Sequence, residues 1–472
     1  MAVTIANYLL AFQVIILIFF LLLNGIYTAS IIFAFIDIRN RLAMATRQHI
    51  KSLTNGIFYR PITIIVPAFN EAETIVASVT LLLQLRYPEF EVIVVNDGST
   101  DETMERLRDA FNLLSVQRPQ NQILSHQPIQ GEYLSLKHEN LLVIDKINGG
   151  KADALNTGIN ASRFPLFCSV DADSILESDA LMRAAKLFVE DRETIATGGI
   201  VRILNGCTIQ NGLITKVQAP SKAIECFQAV EYCRGFLTGR TSWNFFKSLL
   251  IISGAFGIFR KDMVLAINGY RKTVGEDMDL VVRLHRHCRE KKIPYKINFI
   301  PDPVCWTQVP ENYRALLNQR NRWHRGLLDS LWFNRKIFLN PRYGSVGMLA
   351  FPFFLIFEAF GPALEFLGYL SFIVFYFFGY INQEFALLFL LLAVLWGMWL
   401  NIGAITLDNM IFRRYRSLSD LLKLSLFGLL EFAGYRQLIV VERLIATFTF
   451  RRQDWDKNAR QEIHNEKTKK TI

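Results

Sequence analysis

The first 36 residues contain no Asp, Glu, Lys, Arg or His, and neither do residues 385–407. A run of about 20 apolar residues is enough to cross a bilayer core, so this chain cannot fold as a purely soluble globule. The first run lacks the basic start of a secretory leader and is too long for its apolar segment. It reads as a retained anchor over residues 1–38. The overall figures agree: 472 residues, 51% of them hydrophobic, with a mean hydropathy of +0.23.

The net charge of +10 is not a nucleic-acid footprint, because the cations flank the apolar runs. Arg39, Arg41, Arg47 and Lys51 follow the first, and Arg413, Arg414 and Arg416 follow the 385–407 run. Arg451, Arg452, Lys457 and Arg460 lie in the tail. Positive charge gathers on the cytoplasmic side, where anionic headgroups balance it. That places the N-terminus outside, the central region in the cytoplasm, and the protein in the plasma membrane. The partner implied is a lipid bilayer, with no nucleic acid. Six cysteines without a C-x-x-C pair suggest neither a zinc site nor a disulfide framework, as befits a reducing compartment.

From Pro61 onward, short apolar runs alternate with helical stretches. ITIIV (62–66), EVIVV (91–95), LLVID (141–145) and LFCSV (166–170) read as strands, with helices over 71–84, 101–112 and 150–161. That alternation predicts an α/β unit with a mostly parallel sheet, which binds ligands at the carboxyl ends of its strands. Asp97 and the Asp171-Ala172-Asp173 triplet stand at two such ends. Residues 113–136, rich in Gln and without periodicity, read as an exposed loop. Residues 312–335 carry a basic amphipathic pattern that predicts an interfacial helix. Apolar stretches then cover 345–380, 385–407 and about 418–450. Three crossings would put the basic tail outside, so one of them is expected to be interfacial or re-entrant. The third, with Glu431, Arg436, Glu442 and Arg443, is the expected one.

Four motifs recur in fixed order: VVNDGSTD with Asp97, LFCSVDADS, VGEDMD with Glu276 and Asp277, and NQRNRW, a Q-x-x-R-W. Over about residues 60–330 this order resembles the family 2 glycosyltransferases, above all the membrane-embedded cellulose, chitin, hyaluronan and poly-N-acetylglucosamine synthases. The resemblance implies a GT-A (Rossmann-like) catalytic domain carried by transmembrane and interfacial helices. The expected boundaries are an anchor (1–38), a basic connector (39–60), a cytoplasmic catalytic domain (61–311), an interfacial segment with Q-x-x-R-W (312–343), membrane helices (344–450) and a basic cytoplasmic tail (451–472).

The implied activity is inverting transfer from a UDP-sugar to a growing β-linked polysaccharide, coupled to its secretion. The alternative is a glycolipid synthase adding one or few sugars to a membrane lipid, with an inactive secretion scaffold as a minor third. The family's gating loop is not recognisable downstream of Trp323, and the apolar stretches are fewer than in the well-known synthases. A pore would then need a small membrane partner subunit or self-association.

Sugar transfer from a nucleoside diphosphate needs a counter-charge for the diphosphate, a base for the acceptor hydroxyl and a grip on the nucleotide. Mg²⁺ or Mn²⁺ usually supplies the first. Asp173, with Asp171 nearer the nucleotide, is the expected ligand pair. Asp277 is the expected general base, with Glu276 beside it; the plainer reading of both is helix N-terminal charge. The resemblance assigns Pro67, Ala68, Glu71, Asp97, Lys151 and Asp153 to the nucleotide. Gln319 and Arg322 would grip the pyrophosphate. Trp323 offers a ring for an acceptor sugar, although an ordinary interfacial Arg-Trp anchor has the same composition. Ser253, Gly254 and Ala255 in SGAFGIF would line the acceptor path. Gly275 stands where the family often has Thr.

Overall fold

The computed structural model describes residues 2–52, 59–119, 122–210, 213–379 and 383–450. The basic tail expected over 451–472 lies outside them. Helix α1 (Ala2–Ser52) runs on through most of the expected connector as one continuous helix. Its stretch Ala11–Asn40 is long and apolar enough to cross a membrane. Lower on the same helix, Ala34 and Ile38 are buried in the core of the catalytic sheet. Phe33 stacks on Phe245, with ring centroids 5.2 Å apart. The candidate span is therefore continuous with a helix packed into the sheet domain.

The strands expected from sequence all form: β1 (Ile62–Ala68), β2 (Phe90–Asp97), β5 (Leu141–Lys146) and β6 (Leu166–Ser169). They pair in parallel, with Ile62 opposite Phe90, Val92 opposite Leu141 and Ile62 opposite Leu166. Each is buried on both faces by helices, which explains why these segments read as near-continuous apolar runs. Three covering helices are α2 (Ile75–Leu83), α3 (Thr103–Phe111) and α4 (Lys151–Ala161).

The expected loop 113–136 is a correction. It contains β3 (Leu113–Val116) and β4 (Ile129–Ser135), which pair antiparallel and extend the edge beyond β5. β3 is only four residues long and β4 mixes polar with apolar residues, so neither shows the unbroken apolar run of the inner strands. On the other side follow β7 (Ser174–Leu176), α5 (Ala180–Glu190), β8 (Thr194–Ile203), the small pair β9 (Thr208–Gln210) and β10 (Leu213–Lys216), β11 (Gly257–Arg260) and β12 (Lys296–Thr307). Among the described residues the main sheet has ten strands in the order β3-β4-β5-β2-β1-β6-β11-β8-β12-β7. β11 runs antiparallel to both β6 and β8.

Between β10 and β11 lies a helical arm, α6 (Ala223–Tyr232), a π-helical stretch Cys233–Arg240, and α7 (Thr241–Phe245). After β11 come α8 (Lys261–Leu265), α9 (Glu276–Lys291) and α10 (Tyr313–Phe333). The Asn312 side chain caps α10 by accepting from the Ala315 amide at 2.9 Å.

Beyond α10, Gln383–Phe412 and Leu418–Phe448 are each long and apolar enough to span a membrane, and Val346–Ala359 with Gly361–Phe377 forms a pair bent by 40°. The third stretch, expected to be interfacial or re-entrant, thus meets the length and composition of a span. It is nevertheless broken where Ala433 and Gly434 leave helical geometry. Its charges are engaged: Arg436 pairs with Glu365 at 2.8 Å and Arg443 with Glu358 at 3.1 Å, while Glu442 accepts from the Asn321 side-chain amide at 2.6 Å. Glu431 meets Arg234 of the helical arm at 2.9 Å. Mutual neutralisation is what lets such residues sit among apolar helices.

Candidate active site

The carboxyl ends of β1, β2 and β6 open into one cavity of about 1300 Å³. Pro67 and Ala68 line it at the end of β1 and Glu71 just beyond, Asp97 at the end of β2, and Asp171 and Asp173 after β6. Lys151, the segment Ser253–Ala255, Glu276, Asp277, Gln319, Arg322 and Trp323 complete the set. Residues spread over most of the catalytic chain therefore share one wall.

Lys151 is the hub. Its Nζ lies 2.7 Å from Asp171 Oδ1 and 3.1 Å from Glu276 Oε1, joining two of the motifs directly. Burial alone would weaken this ammonium, but the Asp171 and Glu276 carboxylates outweigh it and hold its pKa above the usual lysine value. Burial pushes the Glu276 carboxyl the other way, upward, with Lys151 opposing. Gly254 makes the arrangement possible, since a Cβ there would stand 2.7 Å from Lys151 Nζ. What Gly254, expected to admit an acceptor, is seen to do is leave room for the tip of a lysine.

Asp97 is 3% exposed and its oxygens are engaged within the protein. Oδ1 accepts from Lys146 Nζ at 2.6 Å and the Gly149 amide at 3.0 Å, and Oδ2 accepts from the Gly150 amide at 2.7 Å. It ties down the glycine turn that launches α4. Gly150 begins that helix at φ 93°, a conformation that favours glycine. A Cβ on Gly149 would meet the Asp153 carboxyl carbon at 2.4 Å.

Asp153, which the resemblance assigns to the nucleotide, is not among the residues that line the cavity. It pairs with Lys146 Nζ at 2.6 Å and accepts from the Gln127 amide at 3.0 Å. Lying in the first turn of α4, near Gly149, it braces the glycine turn. Lys146, wholly buried between Asp97 and Asp153, went unrecognised in the sequence. A lysine ending the strand LLVIDK, opposite Asp97, was the available signal.

Asp277 sits in the first turn of α9, part-buried, with Oδ1 accepting from the Met278 amide at 2.8 Å. It therefore lies in the acidic first turn of the helix and also lines the cavity, a position compatible with either reading. The α10 motif turns Gln319, Arg322 and Trp323 toward the same space. Trp323 is 44% exposed, and the Arg320 guanidinium lies 4.3 Å from its ring centroid. Arg320 in turn pairs with Glu231, whose Oε2 also accepts from the Tyr435 hydroxyl at 3.0 Å.

A whole wall was not foreseen. Glu231, Tyr232, Arg234, Phe236 and Arg240, from α6 and the π-helical stretch, line the cavity, as do Tyr27, Phe353, Glu358 and Arg443. Those last four belong to the apolar helices, so the cavity continues from the sheet into the candidate membrane region.

The family model described as glycosyl transferase family 2 matches residues 63–264, and that described as glycosyl transferase family group 2 matches residues 166–400. The chain belongs to the family 2 glycosyltransferases. A poly-beta-1,6-N-acetyl-D-glucosamine synthase of Staphylococcus epidermidis is 28% identical over 327 residues, covering 67% of this chain and 66% of the relative. The synthase of the same name from Staphylococcus aureus strain COL is 27% identical over 296 residues, covering 62% and 60%. The match thus spans less than two thirds of either relative. A mannosyltransferase of Pyrobaculum calidifontis, solved with GDP-Man and Mn²⁺, superposes with a TM-score of 0.50 at 15% identity, covering 89% of this chain and 99% of that one. This family 2 glycosyltransferase therefore shares its fold with a solved glycosyltransferase.

Proposed function

We propose that this glycosyltransferase lengthens a β-linked N-acetylglucosamine polymer from UDP-N-acetylglucosamine at a membrane, with inversion at the transferred sugar. The observation that carries the reading is the single cavity. It gathers the D-x-D, Glu-Asp and Q-x-x-R-W residues and continues past Trp323 to Tyr27 and Glu358 on the apolar helices. A site so built can take a soluble donor at the sheet and an acceptor from the membrane side. The donor sugar follows the names of the staphylococcal relatives.

Each group has a task in this reading. Asp277 removes the proton from the acceptor hydroxyl. Lys151 keeps Asp171 and Glu276 in place, and Arg322 steadies the leaving diphosphate. Trp323 carries the acceptor's terminal sugar on the ring face away from Arg320. Asp171 and Asp173 fit a divalent cation, because two carboxylates leave room in its shell for diphosphate oxygens. Among the described residues no cluster of three or more His, Cys, Asp or Glu side chains offers a protein-only cage. Such an ion, when bound, neutralises charge on the diphosphate. The basic residues flanking the spans favour a cytoplasmic catalytic domain, an outside N-terminus and the plasma membrane.

Phe353, Phe354 and Ile439 in the cavity wall also suit a lipid acceptor entering sideways, and product analysis separates the two. The direct test is a screen of radiolabelled UDP-sugars with the detergent-purified protein, with and without EDTA. Transfer from UDP-N-acetylglucosamine that EDTA abolishes and Mg²⁺ or Mn²⁺ restores supports the proposal. Preference for another sugar, or full activity in EDTA, contradicts it.

A further inference from the structure

Arg240 closes the π-helical stretch and reaches into the cavity. Its guanidinium carbon lies 3.7 Å from the centroid of the Phe236 ring. Its Nη1 is buried with no hydrogen-bond partner. Other arginines of the same wall are committed. Arg234 holds Glu431, Arg320 holds Glu231, and Arg443 holds Glu358.

A buried donor without a partner is destabilising, and more so when charged. A π-helical turn is itself uncommon and recurs at functional sites. One explanation covers both: a ligand entering the cavity completes the arginine.

The chemistry of that ligand follows from the surroundings. Lys151, Asp171 and Asp173 mark the diphosphate end of the cavity. Burial lowers the Arg240 pKa to about 10, and the carboxylate opposing that fall is Asp277, the proposed base. A phosphate placed here would crowd the negative charge of Asp277. Neutral sugar oxygens would not. The ring of Phe236 holds the fork on an apolar support, which suits a pyranose packed against both.

We propose that Arg240 is an acceptor-binding residue, its guanidinium donating to oxygens of the acceptor's terminal sugar so that the attacking hydroxyl turns toward Asp277. The proposal rests on the glycosyltransferase reading above. Arg240 and Trp323 would then grip the same sugar, one through its oxygens and the other through its ring face. A planar fork does this better than a point charge, so lysine is an incomplete substitute.

The test compares the full-length wild type with Arg240→Gln and Arg240→Lys in detergent. UDP affinity, hydrolysis of UDP-N-acetylglucosamine by water, and transfer to an added N-acetylglucosamine tetrasaccharide are all measured. The expected result for Arg240→Gln is an acceptor KM raised about 10- to 100-fold, the scale of a lost charged hydrogen bond. Transfer should fall at least about tenfold further than hydrolysis, with Arg240→Lys intermediate. UDP affinity within about threefold of wild type shows that the fold is kept, since that is under 1 kcal/mol. Equal losses of hydrolysis and transfer, a collapse of UDP affinity, or an unchanged acceptor KM overturns the proposal. A wild type that turns over no UDP-sugar contradicts the glycosyltransferase reading itself and removes the proposal with it.

Discussion

Gly275 and Gly326 meet backbone to backbone: a Cβ on Gly275 would stand 2.6 Å from Gly326 Cα, and one on Gly326 would stand 2.7 Å from Gly275 Cα. The first glycine precedes α9 and its Glu-Asp pair, and the second follows Trp323 on α10. Their contact sets how closely the two motifs approach. One turn further along each helix, Arg271 bridges Asp279 at 3.2 Å and Asp329 at 2.6 Å, which locks the pairing. It also explains why this chain departs from the threonine common in its family.

Restoring that threonine should therefore harm this protein. Gly275→Thr forces the helices apart, and overpacking of this kind typically costs about 1–3 kcal/mol. Gly326→Ala should act in the same direction. Both should lower the melting temperature and reduce kcat/KM, as measured by thermal unfolding and donor turnover. Unchanged values in both variants would mean that the contact is not a constraint.

Asp277→Asn should bind UDP with near-wild-type affinity yet lose transfer by about two to four orders of magnitude, the usual contribution of a general base. Calorimetry with UDP and single-turnover transfer assays separate the two effects. A variant that keeps most of its activity would shift the role to Glu276, whose Oε1 Lys151 already engages.

Trp323→Ala should depress elongation more than hydrolysis of the donor by water, which needs no stacked acceptor. Aromatic stacking is worth about 1–3 kcal/mol for a nucleic-acid base, taken as a guide for a sugar ring. That corresponds to roughly a 5- to 150-fold loss of transfer. Equal losses in both assays would reduce Trp323 to an interfacial anchor.

His285 gives a pH dependence with a defined sign. Burial lowers its pKa from about 6.5 to about 4, with Nδ1 beside the Tyr295 hydroxyl and Nε2 beside the Leu249 carbonyl, each at 2.8 Å. Below pH 6.5 the unfolded chain binds a proton that the folded chain refuses, so stability falls with pH. Its contribution is whole above the unfolded value and lost as pH drops toward 4, about 3 kcal/mol in all. Unfolding midpoints between pH 7 and 4 should fall more steeply in the wild type than in His285→Gln. Parallel slopes would show that other groups set the acid limit.

Much of the catalytic half was legible because its physics is local. Parallel strands buried on both faces leave unbroken apolar runs, and their carboxyl ends mark where Asp97 and Asp171 must stand. The pair β3 and β4 escaped because LLSV is only four residues long and IQGEYLS carries no unbroken apolar run. The cavity wall at Glu231–Arg240 escaped for a different reason. A π-helical stretch has no periodicity of its own in sequence, and its role exists only once α10 and the apolar helices close over it. That Asp153 pairs with Lys146 and does not line the cavity was not legible, because a motif position does not say which face of α4 meets the cavity. Lys146 was passed over because a lysine wholly buried between two carboxylates reads, in sequence, like any strand-end cation. The meeting of Gly275 with Gly326 joins residues far apart in the chain, and glycine alone carries no pattern that could pair them.

The most direct test of the account is the size and solubility of the product made from radiolabelled UDP-N-acetylglucosamine by the purified protein in lipid nanodiscs. A long β-linked polymer that stays out of organic solvent and is shortened by Trp323→Ala is the predicted result. A product that extracts quantitatively into organic solvent carrying one or two sugars would contradict polymer synthesis and make this enzyme a glycolipid synthase.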